Sequence, residues 1–171
     1  MPSQRLTFFL IAASCAGLLA VALYMQEVME LNPCYLCIVQ RVFVIVTGVL
    51  ALLAGLHNPG VVGRRIYSGL GALTALGGAG FAIRQLWLQS LPADQVPACG
   101  PPAEYLFDAL PLADALGMLL RGDGNCAEVQ WTLFGISIPG WTLMAFVALS
   151  AIYLWQLGRA ARQPGQRAPT V

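Results

Sequence analysis

Four long apolar runs alternate with polar segments along the chain. They cover residues 6–25, 38–56, 66–86 and 142–157. Only Gln40 and Arg41 interrupt the second run, and Arg84 lies near the end of the third. A helix of about 20 residues crosses a hydrocarbon core of about 30 Å, and these runs are too long for the strands of a membrane barrel. The pattern predicts an all-α integral membrane protein, a four-transmembrane-helix bundle that forms one membrane domain over residues 1–171.

The segments between these runs are unequal in length. Helices 2 and 3 are joined by a short connection with the turn signal Asn58-Pro59-Gly60, which predicts an antiparallel hairpin. Longer connections cover residues 26–37 and 89–137. Within the second, residues 104–120 mix apolar and acidic positions around Pro111, which predicts either a short helix on the membrane surface or a loop packed on the bundle. The polar tail, residues 159–171, is predicted to be disordered.

Helix 3 carries a stripe of small residues at alternating spacings of three and four: Ser68, Gly71, Ala75, Gly78 and Ala82. Small residues allow membrane helices to approach closely. The stripe is either a dedicated packing face or a consequence of a sequence generally rich in Ala and Gly. Both interpretations give it a structural role.

Composition supports a membrane protein and excludes some functions. The chain is 58% hydrophobic and 10% charged, whereas a soluble domain is about one-quarter charged. Its net charge of +1 provides no electrostatic basis for binding nucleic acid. A single His argues against a His-based metal site or proton relay, and no metal is expected.

The charged residues orient the helices. There is no Lys, and the Arg residues that flank the predicted helices on one side are Arg5, Arg64, Arg65, Arg159, Arg162 and Arg167. All the acidic residues lie in the two connections on the opposite side: Glu27, Glu30, Asp94, Glu104, Asp108, Asp114, Asp123 and Glu128. The positive-inside rule then places both termini in the cytoplasm. The two connections that contain cysteine pairs would face the periplasm of a bacterium, where disulfides persist.

Cys34 and Cys37 form a C-x-x-C at the start of helix 2. Asn32 can cap the helix and Pro33 suits its first position, which would place both cysteines in the first turn and a half. Unpaired N–H groups and the positive helix end there favour thiolate, so the motif indicates a redox-active pair. The alternatives are a static disulfide and a Cys₄ zinc site. The zinc site is disfavoured because Cys99 and Cys126 are too far apart in sequence to form a second knuckle.

Arg41 lies one helical turn after Cys37 and on the same face. A charged side chain inside a membrane helix costs free energy. Arg41 either extends its guanidinium to lipid headgroups or has a functional role. In the functional interpretation it stabilises the Cys37 thiolate and holds a quinone carbonyl oxygen as negative charge builds during reduction.

Cys99 and Cys126 lie in the second polar connection, flanked by glycine and proline. A disulfide between them would close a long loop and could be purely structural. An exposed and mobile position instead favours attack by an outside thiolate. Cys15 lies in the middle of helix 1 and is predicted to be a buried small apolar residue.

The motif Asn32-Pro33-Cys34-Tyr35-Leu36-Cys37, then Arg41, Cys126-Ala127-Glu128 and Ile138-Pro139-Gly140-Trp141, resembles the disulfide bond formation protein B (DsbB) family over nearly the whole chain. The resemblance implies an inner-membrane enzyme that reoxidises a periplasmic DsbA-type dithiol oxidase and passes two electrons to ubiquinone or menaquinone from the membrane quinone pool. It implies that Cys99 forms the mixed disulfide with the partner and that Cys126 pairs with Cys99. Cys34 and Cys37 would reoxidise that pair, with Cys37 and Arg41 at the quinone.

The sequence departs from some members of this family, which have a histidine linked to the quinone site after helix 3. Residues 85–95 contain none, and His57 is predicted on the opposite side of the membrane. Two other interpretations remain. One is a vitamin K epoxide reductase-like thiol oxidase, whose C-x-x-C begins a late helix rather than helix 2. The other is a non-enzymatic membrane protein whose disulfides brace the outer loop.

Overall fold

A computed structural model describes residues 3–101, 105–106 and 110–162. Four long helices, α1, α2, α3 and α5, span Gln4–Glu27, Tyr35–His57, Val61–Gln89 and Ile138–Ala161. All four are long and apolar enough to cross a membrane. At 1.5 Å per residue they are about 35 to 44 Å long. The prediction of an all-α fold with four membrane-crossing helices is confirmed.

Each helix extends beyond its predicted apolar run at both ends. The largest extension is at the start of α3, which begins at Val61, and α5 runs on to Ala161. The predicted disordered tail from residue 159 is therefore wrong for residues 159–161, while residues 163–171 lie outside the described part of the chain. The Arg65 guanidinium donates to the carbonyls of Ala160 and Ala161 at 3.2 Å, which satisfies the free carbonyls at this helix end.

The most extensive packing in the bundle joins α3 to α5. All five small residues of the predicted stripe on α3 are buried. A Cβ atom at Gly71 would overlap the ring of Tyr153, and one at Gly78 would overlap the ring of Phe146. The stripe is therefore a dedicated packing face, because its glycines leave room for two aromatic rings of α5.

The remaining helices complete the bundle. The C-cap of α2 is Asn58, with a left-handed φ of 42°, and α3 begins at Val61, so the two helices form the predicted hairpin. Helix α1 packs on α2. It also approaches α5, where the ring centroids of Phe8 and Tyr153 are 6.4 Å apart.

The connection between α3 and α5 contains helix α4, Leu112–Arg121, and a 3₁₀ turn, Gly124–Cys126. Helix α4 begins directly after Pro111, which is its N-cap. The earlier part of the predicted surface helix includes residues 104 and 107–109, which lie outside the described residues. Two short strands, β1 at Thr132–Leu133 and β2 at Ile136–Ser137, then form a hairpin that leads into α5.

Candidate redox site at the N-terminus of α2

The C-x-x-C lies at the first residues of α2, but the helix begins later than predicted. Cys34 is the N-cap, with extended φ and ψ of −71° and 168°, and Cys37 lies in the first turn. The prediction that Asn32 caps the helix and that Pro33 is its first residue is wrong. Gln130 Nε2 donates to the Asn32 carbonyl at 3.2 Å, which holds the preceding segment in an extended form against the loop before α5.

The sulfurs of Cys34 and Cys37 are close together and contact a buried amide. Their Sγ atoms are 2.7 Å apart, and all five cysteines are free thiols in this structure. Gln85 of α3 donates from Nε2 to Cys34 Sγ at 3.2 Å and to Cys37 Sγ at 3.3 Å. Gln40 Nε2 donates to Gln85 Oε1 at 2.7 Å. The pair thus has a polar environment inside a largely apolar bundle.

Cys126 is directly beside this pair. It is 1% exposed and belongs to the same buried cluster as Cys34, Tyr35 and Leu36. A hydrogen bond between the thiols of Cys34 and Cys126 raises the pKa of Cys34 and lowers the pKa of Cys126. Cys34 therefore holds its proton as the donor, while Cys126 is the partner that favours thiolate.

Cys99 lies at the exposed edge of the site. Its backbone runs against the turn that contains Cys126. A Cβ atom on Gly124 would lie 2.5 Å from the Pro97 carbonyl oxygen and 3.0 Å from Cys99 Sγ, so glycine permits this close approach. The structure thus groups all four predicted site cysteines at one end of the bundle, with Cys99 exposed and Cys126 buried.

The two middle residues of the C-x-x-C hold the loop in place. The Tyr35 hydroxyl donates to the Pro101 carbonyl, two residues after Cys99. Leu36 is fully buried, and its side chain lies close to Gly122, which has a positive φ of 76°. The loop that carries Cys99 and Cys126 is therefore anchored directly on the first turn of α2.

Asp123 connects the segments that contain Cys99 and Cys126. Its carboxylate accepts from Gly100 N at 2.9 Å and from Asn125 Nδ2 at 2.7 Å. Cys126 Sγ lies 3.5 Å from Asp123 Oδ1, to which the protonated thiol donates. The side chain is buried, although from the sequence Asp123 is only one of the acids that orient the helices. Its position within a Gly-Asp-Gly turn, just before a cysteine, was the available signal.

Cys37 and Arg41 lie at the wall of a large cavity between α1, α2, α5 and the segment that precedes α5. The cavity has a volume of about 550 Å³, within the range of about 300–1,000 Å³ that is usual for ligand pockets. Most of its lining is apolar and includes Leu18, Val21, Met25, Trp131, Trp141 and Met144. Cys37 thus faces an apolar space large enough for a small aromatic molecule.

The Arg41 guanidinium is directed to α1. It donates from Nη1 to Gln26 Oε1 at 2.5 Å and from Nη2 to the Ala22 carbonyl at 3.1 Å. These contacts place the charge at the cavity wall and link α1 to α2. They favour a role within the bundle over extension to lipid headgroups.

The other residues considered from the sequence lie away from this site. Cys15 is buried against α2, where a Cβ atom on Gly48 would lie 2.8 Å from its Cβ, and the prediction of a buried small residue is confirmed. His57 is the last residue of α2, and its Nδ1 is 3.1 Å from the Tyr67 hydroxyl. It lies at the opposite end of α2 from Cys34.

The sequence profile of the family described as disulfide bond formation protein DsbB matches residues 4–156. Disulfide bond formation protein B of Saccharophagus degradans is 55% identical over 156 residues, which are 91% of this chain and 94% of that protein. The Hahella chejuensis protein of the same name is 51% identical, over 94% of this chain and 97% of its own length. Disulfide bond formation protein B 1 of Pseudomonas aeruginosa is 45% identical, over 94% and 99%. Together with four membrane-crossing helices and clustered cysteines, these matches show that the chain is a multi-pass membrane protein of the DsbB family of disulfide bond formation proteins.

Proposed function

We propose that this protein is an inner-membrane thiol:quinone oxidoreductase that reoxidises a periplasmic DsbA-type dithiol oxidase. The family supports a general role in disulfide formation. The finer proposal rests on the position of the C-x-x-C. Cys34 contacts Cys126 of the loop, and Cys37 borders the 550 Å³ cavity. This arrangement supports a path from an exposed cysteine to an apolar site.

Electrons enter at Cys99 in this proposal. A thiolate of the reduced partner attacks Cys99 Sγ in a Cys99–Cys126 disulfide, so a partner–Cys99 bond forms and the Cys99–Cys126 bond breaks. Cys126 leaves as a thiolate, which hydrogen bonds from the backbone N–H groups of Leu36 and Asp123 would stabilise. A second partner thiolate then displaces Cys99 and releases the oxidised partner. The exposure of Cys99 and the burial of Cys126 support this choice of entry residue.

The second exchange joins the two cysteine pairs. The Cys126 thiolate attacks Cys34 Sγ in a Cys34–Cys37 disulfide, a Cys34–Cys126 bond forms, and Cys37 leaves as a thiolate. Attack by the Cys99 thiolate on Cys126 then restores the Cys99–Cys126 disulfide and leaves Cys34 and Cys37 reduced. The position of Cys34 and Cys126 in one buried cluster supports this route, because it places the attacking sulfur beside its target.

The residues around the cavity fit a quinone. Its apolar lining suits the ring and the beginning of an isoprenoid tail, and Arg41 supplies the positive charge at the wall. A ubiquinone or menaquinone bound there would accept two electrons and two protons from the reduced cysteine pair. Arg41 would orient a carbonyl oxygen and stabilise the Cys37 thiolate, which lies one helical turn away.

An electron acceptor of this kind is needed to drive the reaction. DsbA is a strong oxidant, with a potential of about −120 mV, so a thiol pair alone would tend to return electrons to it. Removal of those electrons into the membrane makes the cycle run forward. A cavity beside Cys37 provides a place for this step.

We also propose that the cysteine end of the bundle faces the periplasm and that both termini are cytoplasmic. Arg5, Arg64, Arg65 and Arg159 lie at the end of the bundle opposite Cys34, as the positive-inside rule requires for a cytoplasmic face. An impermeant thiol reagent should label Cys99 in reduced intact cells. A reporter fused after Arg162 that is active only in the periplasm would contradict this orientation.

The function is tested by mixing pure protein anaerobically with a reduced DsbA-type partner and a soluble ubiquinone analogue. We expect loss of the quinone absorbance in step with oxidation of the partner, and none in a Cys34→Ser, Cys37→Ser variant. Cys15→Ala is the matched control and should react at the wild-type rate. Full quinone reduction by the double variant would overturn the proposed path.

A further inference from the structure

We propose that Gln85 is a catalytic hydrogen-bond donor to the sulfurs of Cys34 and Cys37, and that Gln40 positions its amide. The proposal deepens the proposed function and rests on it for the direction of electron flow. The hydrogen-bond network itself is a property of the cysteine pair and can be tested without quinone or partner. Neither residue was a candidate in the sequence analysis, where Gln40 was only an interruption of an apolar run.

A single amide nitrogen of Gln85 contacts both sulfurs. Its distances to Cys34 Sγ and Cys37 Sγ are 3.2 and 3.3 Å. A side-chain amide has two N–H groups, so it can donate to both sulfurs at once. Cys37 Sγ also lies 3.7 Å from Gln85 Oε1, so the protonated thiol can donate to the same amide. One side chain can therefore serve both protonation states of Cys37.

Gln40 determines which way the Gln85 amide faces. Its Nε2 donates to Gln85 Oε1 at 2.7 Å. With the oxygen held by Gln40, the nitrogen of Gln85 is directed to the sulfurs. If Gln85 rotated by 180°, its NH₂ group would face the NH₂ group of Gln40, and two donors would be in contact. Gln40 is thus a positioning residue that acts through Gln85.

The burial of these two glutamines strengthens the hydrogen bonds from Gln85 to the sulfurs. Gln40 is 4% exposed and Gln85 is 3% exposed, both within helices that cross the membrane. A buried polar group costs free energy unless it is hydrogen-bonded, and a hydrogen bond to a charged atom is stronger than a neutral one. In the apolar surroundings the N–H groups of Gln85 therefore favour negative charge on sulfur over the neutral disulfide.

The hydrogen bonds from Gln85 favour the disulfide exchange at Cys34. When the Cys126 thiolate attacks Cys34, the Cys34–Cys126 bond forms, the Cys34–Cys37 bond breaks, and its electron pair leaves on Cys37. The amide of Gln85 is already within hydrogen-bond distance of Cys37 Sγ, so no reorganisation is needed as charge develops. The same contact stabilises the reduced pair and makes the Cys34–Cys37 disulfide a stronger oxidant.

The test compares full-length Gln85→Leu, Gln40→Leu and wild-type protein in anaerobic glutathione redox buffers. After acid quenching and alkylation, peptide mass gives the reduced fraction of each cysteine pair. We expect the equilibrium constant for reduction of Cys34–Cys37 to fall about tenfold in Gln85→Leu, which corresponds to about 30 mV for a two-electron couple. The fall should be smaller in Gln40→Leu.

Two controls make the result specific. Gln156→Leu removes another buried membrane glutamine, whose Nε2 donates to the Gln4 carbonyl far from the sulfurs, and it should leave both pairs unchanged. The Cys99–Cys126 pair should titrate as in wild type in every variant. Gln85→Met keeps the length of the side chain and has no N–H donor, so it is a second variant that should lower the constant as Gln85→Leu does.

An unchanged constant for Cys34–Cys37 in folded Gln85→Leu or Gln85→Met would overturn the proposal. An equal fall in both cysteine pairs would also overturn it, because the effect would then be a general loss of structure. These outcomes are independent of the proposed function, since a wild-type protein that fails to reduce quinone would leave the glutathione titration unaffected.

Discussion

Cys34 and Cys126 lie in one buried cluster, where the contact between their thiols raises the pKa of Cys34 and lowers the pKa of Cys126, although the sequence pairs Cys34 with Cys37 and Cys126 with Cys99. The contact links the two pairs at Cys34, the residue directly before α2. It makes the loop cysteine a neighbour of the helix cysteine, so the proposed transfer between pairs would need no large movement of the loop.

This contact predicts that Cys34 and Cys126 can form a disulfide directly. In a Cys37→Ser, Cys99→Ser variant, mild oxidation should join them in most molecules, because both lie in the same buried cluster. Peptide mapping by mass spectrometry under non-reducing conditions would identify the bond. The matched variant Cys34→Ser, Cys99→Ser keeps Cys37 and Cys126, and these two should form much less disulfide. Equal cross-linking in both variants would show that the cysteines meet through loop motion.

The same contact predicts the pH dependence of Cys126. Because the Cys34 thiol donates to it, the pKa of Cys126 is lowered, and its thiolate should be present at pH values below the ordinary cysteine pKa of about 8.5. Alkylation of Cys126 in reduced protein should therefore reach its plateau at a lower pH than for an ordinary thiol. Cys34→Ala removes the donor and should move the midpoint to higher pH, whereas Cys15→Ala should not. A midpoint that stays constant in Cys34→Ala would contradict this assignment.

Arg41 should matter for quinone binding more than for folding. Loss of a charge-assisted contact of about 1.5–3 kcal/mol predicts an increase of about ten- to a hundredfold in KM for a soluble quinone analogue in Arg41→Ala. Arg41→Lys should restore part of the affinity, because it keeps the charge without the planar fork. The measurement is steady-state quinone reduction in detergent with saturating partner.

The contacts of Arg41 with α1 provide a control for this prediction. Gln26→Leu removes the acceptor at 2.5 Å but keeps the guanidinium. If Arg41 acts on the quinone, Gln26→Leu should change KM much less than Arg41→Ala does. If the two variants raise KM equally, the role of Arg41 is to hold α1 against α2.

Asp123 should control the order of the cysteine loop. Asp123→Ala leaves Gly100 N and the Asn125 amide without their acceptor, which should destabilise the loop by about 1–3 kcal/mol. Limited proteolysis between residues 95 and 101 should become faster, while the melting of the helices changes little. Asp123→Asn keeps one acceptor oxygen and should be intermediate, and exposed Asp94→Ala is the control. If Asp123→Ala is cleaved at the wild-type rate, the carboxylate does not hold the loop.

The sequence was sufficient to predict the helices because the length of an apolar run directly reflects a membrane crossing. It was less informative about helix ends. Helix α2 begins at Tyr35 with Cys34 as its N-cap, and the Asn32 carbonyl accepts instead from Gln130, a residue far along the chain that no local capping rule takes into account. The hairpin before α5 was also missed, because two strands of two residues each leave almost no pattern.

The parts of the candidate site that the sequence predicts are those whose chemistry follows from the spacing of residues along the chain. The C-x-x-C and Arg41 share one helix, so their proximity follows from the helical repeat. The contacts of Gln85 and Asp123 depend on how α3 and the loop pack against α2, and a single glutamine or aspartate carries no signal of that packing. Cys126 was identified as a redox candidate, but its contact with Cys34 became evident only from the fold.

The contact between Phe8 and Tyr153 has a consequence for the large cavity. These rings join α1 to α5 near the end of the bundle where α1 begins, while nearer the cysteines Leu18 and Met25 on α1 and Met144 on α5 line the cavity. Phe8 and Tyr153 are not among the residues that line it. A smaller or larger ring at either position should therefore change the spacing of the two helices, and with it the shape of the space beside Cys37, without any change to the residues that border that space.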